Sequence, residues 1–151
     1  MQSIYTWLVI IHIFSAIVGI GPGFVLTIIV KSANTLPEIR HAFALKKKVH
    51  IFVMIGGILV LVTGLLMGSI RPILFQQGWY LTSMILYFIA LSLGPTLLKK
   101  FSAPIKELIA DQCLERVPEH YNENLQKLLR VEYIENALLL IIIFLMITKP
   151  F

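Results

Sequence analysis

Charge is what this sequence has least of. Only 14% of its 151 residues are Asp, Glu, Lys or Arg, against about 25% in soluble domains. The shortage is uneven. Four runs, at about 4–30, 49–69, 79–98 and 131–148, are nearly free of charge, and the charged residues collect between them. A bilayer core of roughly 30 Å takes about 20 apolar residues per helix, and all four runs meet or approach that length. Four such spans leave no room for a separate soluble domain. The sequence therefore predicts one membrane domain over residues 1–151, an all-α bundle of four transmembrane helices.

Cysteine is nearly absent as well. Cys113 stands alone, which excludes a disulfide within the chain. There is no CxxC pair, glycine-rich phosphate loop, internal repeat or low-complexity tract. No Lys or Arg precedes the first apolar run, and that run is longer than a signal-peptide core, so it reads as a retained helix. Acidic residues are scarcer than basic ones, and the net charge is +5. A basic balance can point to nucleic acid, but the positions argue for a membrane surface instead. Lys31, Arg40 and Lys46–Lys48 lie between the first and second runs, and Lys99, Lys100, Lys106, Arg116, Lys127 and Arg130 between the third and fourth. Only Arg71 and Lys149 lie on the other side. The positive-inside rule then predicts a plasma-membrane protein with both basic connections in the cytoplasm and both termini outside.

What is present is a pattern of small residues. In the first run Ser15, Gly19, Gly23 and Thr27 follow each other at intervals of four, with His12 just before them. Such a ridge lets another helix backbone come close. Pro22 lies within it and, lacking an N–H for the Val18 carbonyl, predicts a kink. His50, Gly57, Gly64 and Gly68 form a second stripe, expected to face the first. Either stripe could also pack against a second copy in a homo-oligomer. Thr35, Pro37 and Glu38 have the spacing of a capping box, so helix 2 should begin well before the membrane. Arg71-Pro72 breaks the chain after it, and helix 3 should start near Trp79-Tyr80, with Gly94-Pro95 marking its inner end and Lys99-Lys100 ending the span. Ile105, Leu108, Ile109, Cys113 and Val117 fall near one face. They predict a short amphipathic helix lying on the cytoplasmic surface and broken by Pro118. Residues 119–130 then read as a polar extension of helix 4.

Ionisable groups inside a bilayer are costly and so mark candidate sites. His12 lies about 12 Å below the outer end of helix 1 at ~1.5 Å per residue. Thr63, Met84, Tyr87 and about Leu140 fall at the same depth. His12 is expected to hydrogen-bond Thr63 or Tyr87, or to share a bound ligand with them. Met84 would be a soft axial ligand if that group were a haem. His50 lies roughly 20 Å deeper on the same count, so the two histidines cannot hold one metal ion or one haem. His50 is nearest in depth to Glu132 and Glu135. The three could form a structural ion pair, a proton-coupling site, or a site for a hard or borderline divalent ion. His41 and His120 fall in polar connections and read as solvated. Three functions follow: a haem- or redox-linked protein using His12, a small ion- or proton-coupled transporter using His50, Glu132 and Glu135, or a non-catalytic interaction protein with a filled helix 1–helix 2 seam.

His12-Ile13-Phe14-Ser15-Ala16, Gly19-Ile20-Gly21-Pro22, Thr63-Gly64-Leu65 and Lys149-Pro150 together resemble the bacterial small integral membrane proteins classed as domain of unknown function 2269. That resemblance covers essentially the whole chain and implies a membrane fold, with no reaction attached. A histidine in the first of four membrane helices also resembles, more loosely, the HemJ-type protoporphyrinogen oxidases and CopD-like proteins. In the HemJ-type enzymes this histidine is tied to haem together with a lysine in the third helix. His12 matches the first position, but the third run holds no lysine before Lys99 at its inner end.

Overall fold

The computed structural model describes residues 2–110 and 117–150. Five α-helices occupy nearly all of this length: α1 (Gln2–Ser32), α2 (Leu36–Ile70), α3 (Gly78–Leu93), α4 (Lys99–Ala110) and α5 (Glu119–Thr148). No strand occurs among the described residues. α1, α2, the continuous rod Gly78–Ala110 and α5 are each long and apolar enough to cross a membrane. Their outward surface is built from large apolar side chains, Ile28, Phe144 and Ile147 among them, with Ile147 75% exposed. A soluble monomer rarely exposes so continuous an apolar surface; in a bilayer those side chains meet lipid.

The helix boundaries follow local chemistry. Thr35 is the N-cap of α2, Pro37 lies in its first turn, and the Glu38 carboxylate accepts the N–H groups of Asn34 and Thr35. That is the reciprocal half of the capping box. α1 runs through Pro22 without interruption. α5 starts after Pro118 and ends at Lys149, whose left-handed backbone precedes Pro150. The polar extension of the last span is thus continuous with it.

The third span departs from expectation. Gly94-Pro95 does not end it. A π-helical turn, Gly94–Leu98, carries the chain straight into α4. Pro95 offers no N–H to the carbonyl four residues back, and a wider turn absorbs that defect without breaking the rod. α4 turns Ile105 inward. Ile105 is fully buried with Val30, Ile39, Phe43, Tyr121 and Leu128, in a core at the basic end of the bundle. Arg40 Nε donates to the Ile109 carbonyl at 3.1 Å, tying α2 to α4. The further part of the expected surface helix, with Cys113 and Arg116, lies outside the described residues.

Within the membrane part, α1 pairs closely with α2, and α3 with α5. The α1–α2 crossing is made by glycine. A Cβ on Gly56 would lie 2.5 Å from the Cα of Gly19, and one on Gly19 would lie 2.9 Å from the carbonyl carbon of Gly56. Only glycine at both positions permits this approach. Of the expected partners, Gly57 is turned toward α3, where a Cβ would lie 3.2 Å from Tyr87 Oη, while Gly64 faces His12 on α1, whose Cε1 a Cβ would meet at 3.6 Å. Tyr87 Oη donates to the Gly57 carbonyl at 2.8 Å, and Tyr80 Oη to the Gly64 carbonyl at 2.7 Å. α2 and α3 have no close backbone approach among the described residues and are held apart by these two rings. Both small-residue stripes thus make close contacts within one chain.

Candidate functional site

Polar groups inside the bundle gather at two levels. At the level away from the basic end, His12 Nδ1 lies 2.8 Å from Thr63 Oγ1. Thr63 donates its own proton to the Leu59 carbonyl at 2.5 Å, so at His12 it can only accept. The proton is therefore assigned to Nδ1. Nε2 keeps its lone pair. The expected pairing of His12 with Thr63 is present. Tyr87, the other expected partner, gives its hydroxyl to Gly57 instead.

His12 lines a groove of about 580 Å³ walled by α1, α2, α3 and α5. Ligand sites in proteins commonly hold about 300–1,000 Å³. The walls are overwhelmingly apolar, with Ile17, Phe24, Leu61, Ile143 and Met146 among them. The side-chain hydrogen bonds between α1 and α5 lie toward the basic end, at Thr27, Glu132 and Asn136, and the groove opens above them. Ile13, Ile17 and Ile147 line it and are also exposed, so it opens between α1 and α5 onto lipid. Met84 and Tyr87 line the same space. The three residues expected to share a ligand, His12, Met84 and Tyr87, are thus brought together around one groove.

Ser83 also lines the groove and was legible in the sequence only as a small residue on the α3 face. It is 1% exposed, and its Oγ has no hydrogen-bond partner among the described residues. A buried hydroxyl without a partner is unusual.

The second level lies nearer the basic end. Glu132 on α5 is buried and receives two groups, one of them held in turn by a third. Thr27 Oγ1 is 2.9 Å from Glu132 Oε2, Lys46 Nζ forms an ion pair with Oε1, and Asn136 Nδ2 reaches Thr27 at 3.4 Å. These contacts tie α1, α2 and α5 together. Glu135, one turn further along α5, is half-buried. His50 does not join them. Its residue is exposed, and Lys46, one turn before it on α2, takes the place expected for it at Glu132. The long Lys stem reaches inward from a boundary position where a shorter imidazole cannot. Among the described residues no three His, Cys, Asp or Glu side chains are grouped to hold a metal ion, so His50, Glu132 and Glu135 do not form one centre. His41 and His120 are exposed.

A bundle of four membrane-length helices with apolar outer faces and a lipid-facing groove defines an integral membrane protein. The chain belongs to the family DUF2269, described as a predicted integral membrane protein, whose model matches residues 6–150. No curated protein and no solved structure matches it. The looser likeness to HemJ-type and CopD-like proteins gains no support from these comparisons.

Proposed function

We propose that this protein binds a lipid-soluble, redox-active ring ligand inside the bilayer, with His12 as its polar anchor. The observation that carries this reading is an imidazole whose Nδ1 is held by Thr63, leaving the Nε2 lone pair as the open polar valence of a groove with apolar walls. Haem is the metal-bearing candidate, since a neutral imidazole nitrogen is a haem ligand and the Met84 thioether shares the groove. The test is to purify the protein from membranes and record its absorption spectrum, then extract it with organic solvent. A co-purifying ligand that is absent from His12→Leu supports the reading. Wild-type protein with no extractable ligand and no Soret band after haem supplementation would sink it.

The excess of basic residues at one end supports a plasma-membrane orientation with that end in the cytoplasm and both termini outside. A second reading, proton- or ion-coupled transport, draws support from two carboxylates within the fourth span. Unchanged proton flux in proteoliposomes carrying Glu135→Gln would count against it.

A further inference from the structure

We infer that the ligand of the groove is a neutral hydroquinone-type ring bearing a long apolar tail, bound in preference to its oxidised quinone form. This rests on the reading of the groove as a ligand site, and it follows from two polar groups of its walls that are left without a partner. His12 Nε2 is an acceptor, because Thr63 fixes the proton on Nδ1. Ser83, on the α3 wall, carries a buried hydroxyl with no partner among the described residues, which a ligand reaches through a change of its rotamer. The Tyr80 and Tyr87 hydroxyls each give their proton to a backbone carbonyl of α2, so neither can donate to a ligand. A complementary ligand must therefore donate one hydrogen bond to His12 and offer an oxygen to Ser83. A ring with two oxygens, at least one of them a hydroxyl, meets both demands on a rigid frame.

The walls narrow the class further. No Lys or Arg lines the groove. A phospholipid headgroup or the two carboxylates of haem would bring charge into an apolar space with no cation to meet it, which is costly. A neutral ring brings none. Phe24, Tyr80 and Tyr87 supply aromatic contacts, and Met84 and Met146 supply thioethers that pack well on ring edges. The opening past Ile13, Ile17 and Ile147 gives the tail an exit into lipid. Oxidation of the ring turns its hydroxyls into carbonyls, which accept but cannot donate. The contact with Ser83 survives that change and the contact with His12 does not, leaving Nε2 unmet.

The full chain in lipid nanodiscs tests this, with empty nanodiscs as the partition baseline. The probes are decylhydroquinone, decylquinone and decylbenzene, the last having no oxygen. The hydroquinone is expected to bind about tenfold more tightly than the quinone, as one unmade buried hydrogen bond implies. His12→Leu, or His12→Phe if the first variant does not assemble, should erase that preference. Ser83→Ala should weaken both oxygenated probes severalfold and keep their order. Equal retention of all three probes by the wild type overturns the hydroquinone inference and leaves an apolar groove standing. If the wild type retains no probe above the empty discs, decylbenzene included, both this inference and the binding reading fall.

Discussion

Gly56→Ala probes the α1–α2 crossing most directly. The added methyl would lie 2.5 Å from the Cα and N of Gly19 and 2.8 Å from the Ser15 carbonyl oxygen. Carbon atoms rest at about 3.5–4.0 Å, so the methyl is about 1 Å too close. Its neighbours are backbone atoms, which cannot swing aside as a side chain would. The helices must part by about 1 Å, and a gap of that size forfeits a quarter to a half of the dispersion energy at each contact along the seam. Overpacking costs about 1–3 kcal/mol, and the rigid partner puts this case at the upper end. Replacing Gly by Ala in a helix returns about 1 kcal/mol of propensity. The net expected loss is about 2 kcal/mol, read by unfolding in mixed micelles with rising denaturing detergent. Two controls bracket it. Gly21 has nothing within 4 Å of a built Cβ, so Gly21→Ala should be neutral or slightly stabilising. At Gly57 the nearest atom is the Tyr87 hydroxyl at 3.2 Å, the end of a side chain that can yield, so Gly57→Ala should cost little. If Gly56→Ala unfolds with Gly21→Ala while Gly57→Ala falls, the helices cross on the other glycine and the reasoning fails.

Two further predictions concern the polar ties. Tyr80→Phe and Tyr87→Phe each remove one hydrogen bond between α3 and α2, and each should cost about 1 kcal/mol. Because the two are separate, the double variant should lose about the sum in the same unfolding assay; a loss no larger than either single one would refute independent ties. Lys46→Met strands the buried Glu132 carboxylate and should cost about 3 kcal/mol. Lys46→Met with Glu132→Leu should recover most of that, and a double variant weaker than the single one would show that the ion pair itself stabilises the bundle.

Much of the fold was legible because composition and periodicity report on solvent. The four apolar runs mark four spans since the bilayer core cannot accept charge or unpaired backbone. The Thr35–Glu38 spacing marked the start of α2, because capping is decided within four residues. Counting depth along straight helices brought His12 to Thr63, since helical rise is fixed. Rotation about the helix axis was not legible in the same way. Gly56 and Gly57 are neighbours in sequence but point about 100° apart, and nothing local says which one meets α1. The seven-residue stripe suggested Gly57, and the tertiary packing chose Gly56.

The same limit hid the site's finer features. Lys46 reads as one of three surface lysines, and only the approach of α5 shows its side chain turned inward to Glu132. Nothing local marks Ser83, and only the tertiary packing shows its hydroxyl buried without a partner on the groove wall. Gly94-Pro95 reads as a stop, yet burial of Ile105 in the core at the basic end carries the helix through it. The sequence by itself determined a four-span helical protein, the depth of its polar groups, and where its chain turns, because these depend on solvent and on neighbours a few residues away. Only the tertiary structure decided which glycine meets which helix, which base holds Glu132, and that a groove opens beside His12. Those outcomes depend on how helices rotate and space themselves against one another, and in this bundle two glycines and two tyrosines set that spacing.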